Sequence, residues 1–128
     1  LDGVAIEQEQ PLASDIQCVA DYYSRKGFYA LNTQAICDAD YPFRWMSCLS
    51  PGSSHDSSAF ARTEIGRALL DPTNVLTRAT AEDGHCIVAD EACAASELLA
   101  VPWPGCGRGD RWKDSYNFHL SSCRIQIE

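Results

Sequence analysis

Apolar and polar residues alternate from Val4 to Gln8, the period of a half-buried strand, and Asp2-Gly3 stands at its start. Residues 10–23 are mixed, and Pro11 marks them as a loop. Residues 28–38 are rich in apolar positions and read as a second strand. Asp38-Ala39-Asp40-Tyr41-Pro42 then supplies a turn, and residues 43–49 form the hairpin partner. Strands joined so closely run antiparallel. Pro51-Gly52-Ser53-Ser54 breaks the sheet. Asp56 stands where a helix N-cap is expected, and Thr63-Glu64 offers a second start, so one or two short helices are predicted within residues 57–70, ended by Asp71-Pro72.

Residues 73–83 show no clear period and read as a loop with helical turns. His85-Cys86-Ile87-Val88-Ala89-Asp90 is an apolar run with an acidic tip, the pattern of a buried strand that delivers a carboxylate to a sheet edge. Residues 92–100 have helical composition, and Pro102-Trp103-Pro104-Gly105-Cys106-Gly107-Arg108-Gly109 is a loop. Trp112, Tyr116, Leu120, Cys123 and Ile127 recur at helical spacing and predict a final amphipathic helix, with Glu128 beside its stripe. The resulting order is three antiparallel strands, a crossover helix, a parallel fourth strand and flanking helices, an α/β domain with a mixed sheet. Right-handed crossover allows the fourth strand to land beside the first, where Asp2 and Asp90 would become neighbours.

A chain of 128 residues, 45% of them hydrophobic, suffices for one ordinary core and predicts a single domain over residues 1–128. It has no initiator Met, no signal-peptide pattern and no run of roughly 18 apolar residues, so an unsecreted, soluble piece cut at both ends is expected, with no membrane partner. Seven cysteines with no C-x-x-C pair argue against a zinc or disulfide framework and for reduced, buried thiols inside a cell. The formal charge of -8 argues against a surface that coats nucleic acid indiscriminately. It is compatible with a carboxylate site for cations, with the grip on DNA supplied elsewhere, for instance by a separate DNA-binding subunit or in a homo-oligomer.

Two aspartates on neighbouring strands and a carboxylate from a flanking helix suit Mg2+ or Mn2+ in phosphoryl transfer, because these hard cations take oxygen ligands. Spacing alone does not select them, since 18 acidic residues are present and most acidic side chains are solvated charges or caps. Four blocks in order narrow the choice: Leu1-Asp2-Gly3; Asp21 to Asn32 with Gln34-Ala35 and Cys37-Asp38; Pro51-Gly52-Ser53-Ser54-His55-Asp56 with Phe60; and Ile87-Val88-Ala89-Asp90. A fifth is Arg124-Ile125-Gln126-Ile127-Glu128. Together they resemble the nuclease domain of Harbinger-type transposases, among the DDE superfamily endonucleases with an RNase H-like fold. The resemblance implies Asp2, Asp90 and Glu128 as catalytic metal ligands, a divalent cation as cofactor and DNA as substrate. It also implies cleavage at transposon ends followed by strand transfer, in the nucleus if the source is eukaryotic. The chain departs from the family pattern at Glu91-Ala92-Cys93-Ala94, where Ser-Gly-Tyr-Pro is common, and at Val4-Ala5 in place of Thr-His.

His55 and Asp56 are accessory candidates near that site, although the plainer reading is an aspartate N-cap beside a histidine turn contact. Arg25-Lys26, set among aromatic residues, is the first candidate for a phosphate contact, with a solvated turn as its alternative. Arg108, Arg111 and Lys113 gather further basic charge ahead of the last helix, and Arg124 with Glu128 reads as a helix ion pair. Trp103 reads as a buried side chain rather than an exposed wedge. The competing function is a domesticated or decayed transposase domain that binds DNA or protein without catalysis. A glycosidase-like carboxylate pair has no support in the spacing of the tryptophans.

Overall fold

A computed structural model describes residues 1–38, 40–105, 110–125 and 127, and at residues 76, 79 and 80 the backbone alone. Three strands, β1 (Asp2–Glu7), β2 (Ala30–Cys37) and β3 (Phe43–Pro51), form an antiparallel sheet in chain order. β2 lies in the middle, which explains why Asn32, Thr33, Gln34 and Ala35 are all buried while much of β1 and β3 stays open. The register sets Gly3 opposite Gln34 and Ala5 opposite Asn32. Strand alternation therefore gives these four residues one face and sends Asp2, Val4 and Ile6 to the other.

Two short helices follow, α1 (Asp56–Ala61) and α2 (Glu64–Leu70). Thr63 caps the second as its sequence predicts: its hydroxyl accepts from the Gly66 N–H at 2.9 Å and donates to the Phe60 carbonyl at 2.7 Å. Phe60 packs edge-on to Trp45 of β3, with ring centroids 6.4 Å apart, and so anchors α1 to the sheet. Residues 73–83, read from sequence as loop, hold a third helix, α3 (Val75–Glu82).

The fourth strand departs from expectation. β4 (Ile87–Val88) pairs in parallel with β5 (Leu99–Ala100), within a separate two-stranded sheet. Residues 92–100 are not a helix: the Asp90 side chain accepts from the Ala92 N–H at 2.9 Å and turns the chain, which returns as β5. β4 meets the start of β1 where the Leu1 nitrogen donates to the Val88 carbonyl at 2.6 Å. The mixed α/β character holds, with the parallel ladder formed by β4 and β5 instead of β4 and β1.

Leu1, Phe60, Leu69, Ala89, Cys93, Leu98 and Leu99 make the core under this junction. The last helix, α4 (Arg111–Arg124), buries its predicted stripe only in part: Leu120 is 5% exposed, but Trp112 is 57% exposed. Trp103 is also exposed, because it pairs with Trp112 at the surface, centroids 5.5 Å apart, instead of entering the core. The sequence expects buried thiols, yet among the described free cysteines only Cys93 is buried. Among the described residues no helix is long and apolar enough to cross a membrane.

Candidate active site

The bond from Leu1 to Val88 joins the residue before Asp2 to the strand that ends two residues ahead of Asp90, while Asp2 itself turns to the opposite face of β1 and lines a different cavity from Asp90. Asp2 meets α4 there: an Arg124 guanidinium nitrogen stands 3.3 Å from Asp2 Oδ1. The sequence offers Arg124 as a partner for Glu128 within its own helix; its ion pair with Asp2 ties that helix to the sheet. Glu128 itself lies outside the described residues, as does Arg108.

Asp90 faces an open cavity of about 330 Å3, and so does Asp56. Arg25, Lys26 and His55 line the same cavity, with Gly3 and Asn32 on its floor. It thus has two carboxylates and two cationic side chains in one polar space. Arg25 Nη2 lies 2.8 Å from His55 Nδ1, which orients the guanidinium at the surface. The Arg25-Lys26 turn is held from below, where the Ser24 N–H donates to the Phe28 carbonyl at 2.8 Å and Gly27 takes φ +88°, the left-handed conformation that glycine adopts without strain.

His55, not Asp56, occupies the N-cap position of α1, and its side chain makes no capping bond. The Asp56 carboxylate turns toward the sheet instead. Its Oδ1 accepts from Asn32 Nδ2 at 2.7 Å and Gln34 Nε2 at 3.3 Å, while Gln34 Nε2 also donates to Asn32 Oδ1 at 2.7 Å. Two buried amides in the central strand thereby satisfy their polar groups on one carboxylate. The sequence signal for them is their spacing: Asn32 and Gln34 stand two apart in β2, on either side of Thr33, so they share a face.

Cys93 reports how closely these groups gather. Burial, together with the nearby Asp90 and Asp56 carboxylates, pushes its thiol from an ordinary 9.0 up to about 11, against smaller opposing effects of the N-terminal ammonium and Arg124. The thiol therefore stays protonated at neutral pH and is a poor nucleophile and metal ligand.

Lys113 is engaged elsewhere, 2.7 Å from Asp110 and about 5.3 Å above the Trp103 ring. Arg111 begins α4 as an exposed residue, in a region the Arg25 turn does not share a cavity with. Asp2, Asp56 and Asp90 offer only carboxylate oxygen, the donor type that hard divalent cations take. Among the described residues no three His, Cys, Asp or Glu side chains stand close enough together to hold a metal ion. The donor chemistry fits such a cation. The described carboxylates alone do not complete a coordination shell.

A family model described as DDE superfamily endonuclease matches residues 1–128. No curated protein and no solved structure matches the chain.

Proposed function

The chain belongs to the DDE superfamily endonucleases, and from that premise we propose that it cuts DNA phosphodiesters with a divalent cation held by Asp2, Asp90 and Glu128, as the catalytic domain of a Harbinger-type transposase. The observation that supports the reading is the Leu1 to Val88 bond, which joins the residue before Asp2 to the strand that ends two residues ahead of Asp90. Mg2+ or Mn2+ bound there supplies Lewis acidity, activating water and easing departure of the leaving oxygen.

The chain's own side chains bind and orient the substrate. Arg25 and Lys26, at the rim of the cavity that Asp90 faces, attract a phosphate. They give a chain of net charge -8 a local cationic approach for DNA. His55 steadies Arg25, and Asp56 stands with Asp90 on the carboxylate side. In this reading the protein works in the nucleus of a eukaryotic source, where its DNA substrate lies, and a separate subunit recognises the transposon ends.

A second reading, a decayed or domesticated domain that binds without cutting, has one observation in its favour: Asp2 is already paired with Arg124. Mn2+ titration followed by electron paramagnetic resonance separates the two. The endonuclease reading expects saturable Mn2+ binding that Asp2→Asn and Asp90→Asn each weaken. Absence of binding to the intact protein contradicts it.

A further inference from the structure

Asp56 begins a helix but does not cap it, and its carboxylate lies over the backbone of Gly3. A Cβ built on Gly3 would overlap Asp56 Oδ1, and would stand 2.7 Å from Asp56 Cγ and 2.5 Å from Gln34 Nε2. Residue 3 is bare because a carboxylate from another element fills its side-chain space. We infer that Asp56 is a positioning residue: bonded to Asn32 and Gln34 and seated on Gly3, it fixes the start of β1, and with it Asp2, relative to the cavity that Asp90 faces. This role rests on the endonuclease reading for its catalytic consequence.

Three observations support it independently. Asn32 is 6% exposed and Gln34 2%, so loss of their shared acceptor leaves buried amide donors unsatisfied. Asn32 Nδ2 also donates to the Ser54 carbonyl at 2.9 Å, so the same amide fastens the loop ahead of α1. α1 is itself anchored by Phe60 against Trp45 of β3. Asp56 thus connects a fixed helix to the one point on β1 where the neighbouring residue is Asp2.

An amide at position 56 keeps an acceptor oxygen for Asn32 and Gln34 but loses the charge, whereas alanine loses both. A glutamate adds about 1.5 Å of reach, which drives the carboxylate into Gly3. A positioning role therefore predicts rescue by Asn and none by Ala or Glu.

The test uses the intact protein, a labelled DNA duplex and Mn2+, with amide hydrogen exchange across Asp2–Glu7 read on the same samples. For Asp56→Ala, kcat is expected to fall about 100-fold with KM changed by less than about threefold, and exchange in β1 to rise. Asp56→Asn is expected to stay within about tenfold of the parent kcat with β1 exchange unchanged. Gly3→Ala should reproduce the Asp56→Ala phenotype and add little to it in the double variant. Should Asp56→Ala fail to fold, Asp56→Asn against Asp56→Glu, with Gly3→Ala, gives the same decision. Unchanged β1 exchange in both the Ala and Glu variants overturns the proposal. Equal kcat losses in Asn and Ala also overturn it, because charge and not position would then be what matters. If the parent protein cuts no DNA, the endonuclease reading falls, while the exchange data still decide the positioning role.

Discussion

Arg124 of α4 and Asp2 of β1 form an ion pair of 3.3 Å, with side chains only 17% and 24% exposed. The last helix is held to the first strand by charge at the point where a metal-binding carboxylate is proposed. While paired, that carboxylate has its charge neutralised by a guanidinium, and a cation must compete for it.

Arg124→Gln is expected to cost about 1 to 2 kcal/mol in denaturant unfolding, the scale of a partly buried pair losing one member. The same substitution is expected to tighten Mn2+ binding, because Asp2 no longer shares its charge with Arg124. Weaker Mn2+ binding in this variant would remove Asp2 from the ligand set.

Gly66→Ala tests the corner between α1 and α2. A Cβ at that position collides with the Phe60 carbonyl oxygen and comes within 2.8 Å of its carbon, both backbone atoms that cannot step aside. A loss of about 2 to 3 kcal/mol is expected by chemical denaturation.

Thr63→Ala removes both the cap of α2 and a buried hydroxyl bond to Phe60. A loss of about 1 to 2 kcal/mol is expected, again in denaturant unfolding. An unchanged midpoint would mean that the corner is held by packing alone.

Cys93 gives the pH dependence. Its folded thiol lies near 11 against 9.0 ordinarily, so folding favours the protonated form. The associated stability is fully present below pH 9.0 and is lost as pH rises toward about 11. Thermal melts of the parent should fall over that window, and the fall should be smaller in Cys93→Ala, which has no thiol to titrate. Equal alkaline slopes in the two proteins would contradict the assignment.

Much of this was legible in the amino-acid order, for physical reasons that differ by element. β1 announces itself by alternation, and β2 and β3 by an apolar run and its partner on either side of the turn through Tyr41, which takes φ 74°. Thr63 is a cap that sequence identifies because hydroxyl and helix are local to each other. β5 escaped notice because two residues, Leu99 and Ala100, carry no period, and the alanine-rich segment before them mimics a helix. α3 is harder to read because turn residues crowd both its ends, Asp71-Pro72-Thr73-Asn74 before it and Asp83-Gly84 after it, although most of its own residues are good helix formers. Asp56 shows the limit most plainly. A carboxylate at a helix start reads as a cap, and only the fold reveals that Gly3 has vacated space for it. The pairing of Arg124 with Asp2 joins residues 122 positions apart, beyond the reach of any local pattern.

The central claim, that Asp90 belongs to a metal-dependent nuclease site, is tested most directly by Mn2+-dependent cleavage of a labelled DNA duplex by the parent and by Asp90→Asn. A loss of about 1000-fold or more in the variant, with its fold and melting temperature retained, is the predicted result. Cleavage by Asp90→Asn at the parent rate would contradict the account.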